Sequence, residues 1–595
     1  MDCNIDNGFY LKVCLSNVSE YYIKYIDDFS SCIFKNDSLA VVVQAGARST
    51  SSSQHLVSDY LSCDEGSFVP RRTTEGSFVI LDSANNRVVV GRDRSQAYHL
   101  YLYESGGYLY VSTDVTYLID VCKELDAVSV DQFICKGIVL APYPLLKNVK
   151  SVMPGYYDVY DNCNPRGLSA FWEIQEVQVP VHYDDAVDLY GDLLLDSVKK
   201  NMLQDNVAVF LSGGSDSAAV VGALFKVGGV NVKAIHMGID GNFEFERSDV
   251  KILRNTYGFD LDIVKPYVTD STWIDYVDES LLNGSLNSLY ISFPTYLLMG
   301  DALNKYNLKG GTVFNGEMCL LDQGFNEASD STRNLRRWIY LKGGRILSKS
   351  LPIWPKNGIS DWDAIRRPYL DRNSFKDKRD VFVSSLVAFM HSIGRPLDFY
   401  AGLKFGFRGF PGFWNGVSLL HPDYCFDLYS DFRDSFMNHY LDGLTSKDWM
   451  RSIYTMNTCW YSETSNFTMP RDAAAKAKMG VCFPFSSVDL MDYAASLPLE
   501  WTVDKKIQKD MCKKFLNMPD EVAYRLKNHR QSFSYFEAVY GSLKTRMVDV
   551  VMGTDYGPVD YGIKKLYESG RLSDDKLFAL YGLSLWMDKF GLTVV

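Results

Sequence analysis

The sequence lacks most of what would mark a secreted, membrane-bound or metal-scaffolded protein. Its 595 residues contain no apolar run of the length a bilayer requires, which is about 20 residues. The opening stretch MDCNIDNGFY has neither a basic start nor an apolar segment, so no secretory signal is expected. Twelve cysteines are scattered without a CxxC pair, and the eight histidines form no HExxH. Scattered thiols in a large chain suit a reducing cytoplasm and argue against a disulfide framework or a zinc site. Basic charge is also short: 61 Lys and Arg stand against 73 Asp and Glu, a formal net charge of −12. A nucleic-acid partner would need a basic face, so none is expected, and no membrane partner either. Internal repeats and low-complexity tracts are missing too.

What is there is the material of a large globular protein. Hydrophobic residues make up 47% and charged residues 23%, and this length predicts two or more domains. Up to about residue 180 the pattern is short strands and turns. SFVILDSANNRVVVGRDRSQAYHLYLY alternates β-branched and aromatic residues with Gly, Asn and Asp, as hairpins do. GGYLYVSTDVTYLIDV and SVMPGYYDVYD continue it, with a short helical piece near DQFICKGIVL, and residues 161–182 read as a connecting strand and linker.

The period then changes. YDDAVDLYGDLLLDSVKKNM sets Val187, Tyr190, Leu194 and Val198 on one helical face. The apolar strand VAVFL, a small polar turn and a helix beginning at Asp216–Ser217 follow. VKAIHMGI, LDIVKPY and GGTVFNGE read as further strands, with SDVKILRNTYG and ISFPTYLLMGDALNKYN as helices. Strands alternating with helices predict an α/β fold with a parallel sheet and right-handed crossovers. Ligands of such sheets sit beyond the carboxyl ends of the strands, where the polar turns SGGSDS and NGE both fall. From about 325 to 470 the chain reads as helical and holds Trp338, Trp354, Trp362, Trp414, Trp449 and Trp460, either as a helical core or as an aromatic-lined pocket. Residues 471–595 read as largely helical.

SGGSDS offers a run of backbone N–H groups with little side-chain obstruction, directly before a helix whose N-terminus favours an anion. Ser212 and Ser217 add hydroxyl donors. Asp216 would repel a bare phosphate, so its sensible role is to hold Mg2+ against one. The turn lacks the Lys-[Ser/Thr] ending of a Walker loop, which excludes a generic P-loop kinase or ATPase.

This turn resembles the pyrophosphate loop, SGGxDS, of the ATP pyrophosphatase superfamily, and further segments resemble the asparagine synthetase family in the same order along the chain. AIHMGI is similar to that family's adenine-contacting strand, FNGEM to its Ser-Gly-Glu strand end, and FPFSSVDLMDYAASLPLEW to its VPFLD…LVEFAASLP segment. KKIQK is similar to KxxLR, YRLKNHRQSF to RxKQGF, and GRDRSQAYHLYLYESGGYLYVSTDVTYLI to a stretch of the N-terminal domain. The resemblance covers about four-fifths of the chain. It implies an Ntn-hydrolase-like sandwich over residues 1–182, followed by a pyrophosphate-loop α/β synthetase domain over 183–595 with the helical segment as an insertion. It further implies ATP and Mg2+ as cofactors, cleavage between the α and β phosphates, and an acyl-adenylate. Leu211, Ser212, Gly213, Gly214, Asp216, Ser217, Met237, Asn315 and Gly316 would surround ATP, and Asp216 and Asp322 would hold the metal. Lys505 would be the catalytic cation, with Lys506 and Lys509 beside it as a solvated basic face, and Glu317 either a general base or an orienting carboxylate.

The departures shape the expected function. A working glutaminase domain would carry Cys at position 2 as its N-terminal nucleophile; Asp2 stands there and Cys3 comes one residue late. Nothing like NGEIYN or SDTE appears between residues 40 and 75. The amine is therefore expected from elsewhere, and β-lactam synthetases and lasso-peptide cyclases resemble this chain in closing an amide within one substrate. After Glu317 the family has Gly-Ser-Asp-Glu, whereas MCLLDQG puts Leu320 at the metal-binding Asp and Asp322 two residues on. Gly480, Cys482 and Ser487 replace the Glu, Arg and Asp of ExRxPFLD, so an aspartate-binding site is not supported. The expectation is a cytoplasmic, AMP-forming ligase of natural-product biosynthesis whose substrate carries a carboxylate and an amine. An ammonia-dependent synthetase, a lasso-peptide-type cyclase and a non-catalytic scaffold stay open, as does a homodimer.

Overall fold

The computed structural model describes residues 9–25, 31–45, 49–63, 67–94, 98–136, 139, 143–162, 164–202, 204–239, 244–266, 268, 272–286, 289–319, 321, 465–502, 505–524 and 535–595. Asp2, Cys3, Leu320, Asp322, the six tryptophans between 325 and 464, and residues 525–533 of YRLKNHRQSF lie outside them.

Two antiparallel sheets form the first part. One runs, in spatial order, β10 (Lys150–Ser151), β7 (Tyr101–Ser105), β8 (Tyr108–Ser112), β1 (Phe9–Cys14) and β2 (Asn17–Tyr25). The other runs β12 (Asn164–Pro165), β11 (Tyr156–Asp161), β6 (Arg87–Arg92), β5 (Ser77–Asp82), β4 (Leu39–Gln44) and β3 (Ser31–Lys35), with β13 (Ser169–Ala170) also on β11. Strand alternation explains why they stack: Phe9, Leu11 and Val13 of β1 meet Val79 and Leu81 of β5 and Val88 and Val90 of β6 in one buried cluster. The opposite face of the second sheet, with Phe78 and Ile80, packs on Leu56 and Val57 of helix α1 (Ser49–Ser62). That helix goes unread in the sequence. The helical piece near DQFICKGIVL is α2 (Ala127–Lys136), which starts four residues before Asp131.

The second part is built on a five-stranded parallel sheet in the order β16 (Asp260–Val264), β15 (Asn231–Met237), β14 (Asn206–Phe210), β17 (Thr312–Asn315) and β18 (Gly480–Cys482). Apolar residues on both faces of the strands call for helices on both sides. Val207 and Val209 pack with Val187, Tyr190, Leu194 and Val198 of α3 (Tyr183–Asn201) and with α4 (Ser215–Val227). Ala208 and Phe210 face the other way, onto Met299, Ala302 and Leu303 of α7 (Phe293–Leu303) and onto the helix Ser465–Lys476. Helix α5 (Glu244–Tyr257) covers the expected SDVKILRNTYG as far as Tyr257 but starts four residues before Ser248, and α6 (Thr272–Asn283) is added before α7.

The two parts are clamped together. Arg72 gives both oxygens of Asp492 a hydrogen bond of 2.8 Å, and the buried guanidinium of Arg94 donates to the Ser486 carbonyl at 2.9 and 3.1 Å. Each of these bonds has a charged donor, which makes it stronger than a bond between neutral groups. β19 (Thr593–Val594) pairs in parallel with β9 (Glu124–Leu125), and Lys123 Nζ donates to the Phe590 carbonyl. No helix among the described residues is long and apolar enough to cross a membrane.

Candidate functional site

Strands β14 and β17 are neighbours, with Phe210 opposite Asn315, so the two polar turns that follow them lie side by side at the carboxyl edge of the sheet. Leu211 closes β14, its carbonyl accepting from the buried ring of His236 at 2.8 Å. The chain then turns through Gly213 at φ 79°, a conformation that glycine adopts without a Cβ penalty. Gly214 is the N-cap of α4 and supplies no side-chain cap. The helix begins at Ser215, one residue earlier than expected. Ser212 Oγ and Ser217 Oγ lie 3.1 Å apart, Gly214 N donates to Ser212 Oγ at 3.3 Å, and Ser217 Oγ donates to the Gly214 carbonyl at 3.1 Å. The first N–H groups of a helix have no partner within it, and here they open onto a small turn without a capping side chain. Met237 ends β15 at the same edge.

Gly316 is required by closeness. A Cβ there would stand 2.5 Å from Ser217 N and 2.7 Å from Ser217 Cα, so the NGE turn lies directly on the first turn of α4. Asn315 Oδ1 accepts from Glu317 N at 2.9 Å, tightening that turn. Met318 follows at φ 76°, fully buried, where the sequence resemblance has glycine. A large side chain in the left-handed region stores strain of about 1–2 kcal/mol. The difference between two small replacements isolates it: Met318→Gly is expected to be about 1 kcal/mol more stable than Met318→Ala, the reverse of the usual order, as read from urea melts.

Lys505 arrives from 289 residues away and donates to both oxygens of Asp216, at 2.7 and 2.6 Å. Its own backbone is left-handed, at φ 55°, as the N-cap of the helix Lys506–Lys514. Its side chain is 17% exposed and that of Asp216 30%. Burial works against the ammonium, but Asp216, helped by Glu317, more than offsets it, so Lys505 is held above its ordinary pKa. Lys506 has a different situation: half exposed, it lies over the Tyr183 ring and pairs with Asp510. The structure thus separates Lys505 from its neighbours.

The site also contains groups that the sequence pattern does not reveal. Gln508 Nε2 donates to Asp216 Oδ1 at 2.6 Å, and Cys319 Sγ lies 2.7 Å from Gln508 Oε1. A signal existed for Gln508, since it puts a buried amide where KxxLR has leucine. The altered FPFSS segment has structural duties: Ser487 caps the helix Val488–Ser496 by accepting from Leu490 N, and Ser197 Oγ holds the Pro484 carbonyl.

No protein-family model matches the chain. Over 325 residues it is 24% identical to a Methanocaldococcus jannaschii protein provisionally assigned as a glutamine-hydrolysing asparagine synthetase, covering 50% of this chain and 58% of that one. Over 174 residues it is 29% identical to human asparagine synthetase, covering 25% and 27%. Over 81 residues it is 35% identical to asparagine synthetase 2 of Bacillus subtilis, covering 12% and 11%. This chain is similar to the asparagine synthetases. It spans little more than half the length of the first of these relatives, a shorter match than the one read along the sequence. Among solved structures, NMN synthetase from Francisella tularensis matches 24% of this chain and 57% of its own at 15% identity and a TM-score of 0.17. Glutamine phosphoribosylpyrophosphate amidotransferase from B. subtilis matches 45% and 77% at 9% identity and a TM-score of 0.18. At such scores neither likeness carries an argument.

The site suits a polyphosphate. Its uncapped helix start, small turn and partly exposed lysine all favour anionic oxygens. For Mg2+, which commonly takes one or two carboxylates plus substrate phosphates, Asp216 is the ligand on hand. Among the described residues no group of three or more metal-ligating side chains is present, and Asp322 lies outside them.

Proposed function

We propose that the chain is an ATP-dependent ligase that forms an amide through an acyl-adenylate, releasing AMP and pyrophosphate. The observation that carries this reading is the meeting of Lys505 with Asp216 at the uncapped start of α4. A carboxylate is a poor electrophile, so it is first joined to the α-phosphorus of ATP, with pyrophosphate as leaving group. N–H groups of the turn and of the first residues of α4, with the Ser212 hydroxyl, receive that leaving group, while the Gly214 N–H and the Ser217 hydroxyl brace the turn from within. Mg2+, held by Asp216, would supply charge neutralisation on the phosphates. Lys505 stabilises negative charge as it builds on the α-phosphate and then on the tetrahedral carbon. An amine next attacks the acyl carbon, Glu317 accepts its proton, and AMP departs.

We infer further that residues 1–182 form an Ntn-type sandwich without glutaminase chemistry and residues 183–595 the synthetase domain. The clamps at Arg72 and Arg94 support a packing role for the first. The substrate then carries both its carboxylate and its amine, and closure is intramolecular. Incubation with α-labelled ATP and candidate amino acids or peptides tests the scheme. Labelled AMP, together with a product lighter by one water, is expected; labelled ADP would reject it. The asparagine synthetase relatives favour a second reading, in which free ammonia is the amine and product formation depends on it.

Asp216→Ala is expected to weaken Mg·ATP binding about tenfold or more, a loss of about 1.4 kcal/mol, measured by calorimetric titration. It also strands Lys505, so the fold should lose about 2 kcal/mol, less than a fully buried pair would because both ends keep some exposure.

A further inference from the structure

Gln508 is fully buried, in the first turn of the helix Lys506–Lys514, and the scheme above makes no use of it. Its amide has two ends with different requirements. An ionised Asp216 only accepts hydrogen bonds, so the NH2 end must face it. The carbonyl end is thereby turned to Cys319, which must donate. Burial pushes the Cys319 thiol up to about 12, so it keeps its proton at neutral pH and can fill that role. Cys319 belongs to the turn after β17, Gln508 to a helix almost two hundred residues later, and Asp216 to the start of α4. One line of hydrogen bonds thus ties together the three segments that make the site.

Lys505 faces conflicting demands. While it neutralises Asp216 through both oxygens, only one of its three N–H groups is left for the phosphates of a nucleotide. When it turns to them, Asp216 loses its cationic anchor. We propose that Gln508, oriented by Cys319, is a positioning residue that keeps the Asp216 carboxylate aimed at the glycine turn while Lys505 moves to the nucleotide. The proposal rests on the nucleotide reading of the site. A neutral amide is suited to the task, because it steadies a carboxylate without cancelling the charge that a divalent cation needs.

Calorimetric titration of the whole chain with α,β-methylene-ATP, with and without Mg2+, tests this. Gln508→Leu is expected to weaken binding about tenfold in Mg2+, the lower end of what loss of a ligand's supporting partner produces. The same substitution should leave metal-free binding unchanged. Cys319→Ala should lose affinity in the same Mg2+-dependent way, and Cys319→Ser, which restores a donor, should recover most of it. Unchanged affinity in Mg2+, or an equal loss with and without the metal, overturns the positioning role. If thermal melting shows Gln508→Leu to be unfolded, the Cys319 pair decides by the same criteria: no Ser rescue overturns the proposal. A parent chain that binds no analogue under either condition removes the nucleotide reading and this proposal together.

Discussion

Lys505→Met is expected to slow the proposed amide formation by about 10²–10³-fold while nucleotide binding survives. The rate estimate is that for removing one preorganised donor from a developing oxyanion. Binding survives because the free chain already spends the ammonium on Asp216; methionine removes that competitor and leaves the turn and the helix start intact. The stem of the side chain is nearly isosteric, so its packing is kept. Single-turnover assays with labelled ATP, set beside calorimetric titration with α,β-methylene-ATP, separate the two effects. Normal turnover in the variant would show that Lys505 is no part of the chemistry.

Gly316→Ala is the strongest structural challenge to the same site. The new methyl would meet Ser217 N at 2.5 Å, Ser217 Cα at 2.7 Å and Asp216 C at 2.8 Å. All three are backbone atoms at the start of α4, so no side chain can swing aside to relieve the overlap. β17 and α4 must part instead, and overpacking of this kind costs about 1–3 kcal/mol. Because the parting occurs where the phosphates are proposed to lie, affinity for Mg·ATP should fall more steeply than stability does. Gly553→Ala is the control: nothing lies within 4 Å of its added methyl, and it should be neutral or slightly stabilising in the same urea melts. Equal behaviour of the two variants would mean that the turns are not in contact.

Much of the fold is legible because buried parallel strands are short apolar runs between helical periods. NVAVF and its neighbours announce the sheet, and the spacing of Val187, Tyr190, Leu194 and Val198 announces α3, all four being buried. Helix α1 is hidden because it opens on STSSSQ, residues that compete with the backbone for hydrogen bonds, and shows apolar residues only from Leu56 on. Helix α6 carries Trp273, Val277 and Leu281 at every fourth place, yet Asp275, Asp278 and Glu279 break the stripe to the eye. In the site, Asp216 and Lys505 are legible through short motifs. Cys319 is not, since cysteine is an ordinary buried residue type, and Gln508 shows only as an amide in place of the leucine of KxxLR until folding brings the two segments together. Met318 is concealed for another reason: nothing about a methionine announces a positive φ.

The pairing of β19 with β9 has a bearing on the order of events during synthesis. Leu125 cannot find its partner until Val594 has been made, and Lys123 must wait for Phe590. Arg72 and Arg94 are likewise kept waiting for Asp492 and Ser486. The early sandwich therefore emerges from the ribosome with unfilled docking positions, and its docking waits until these far later segments have been made.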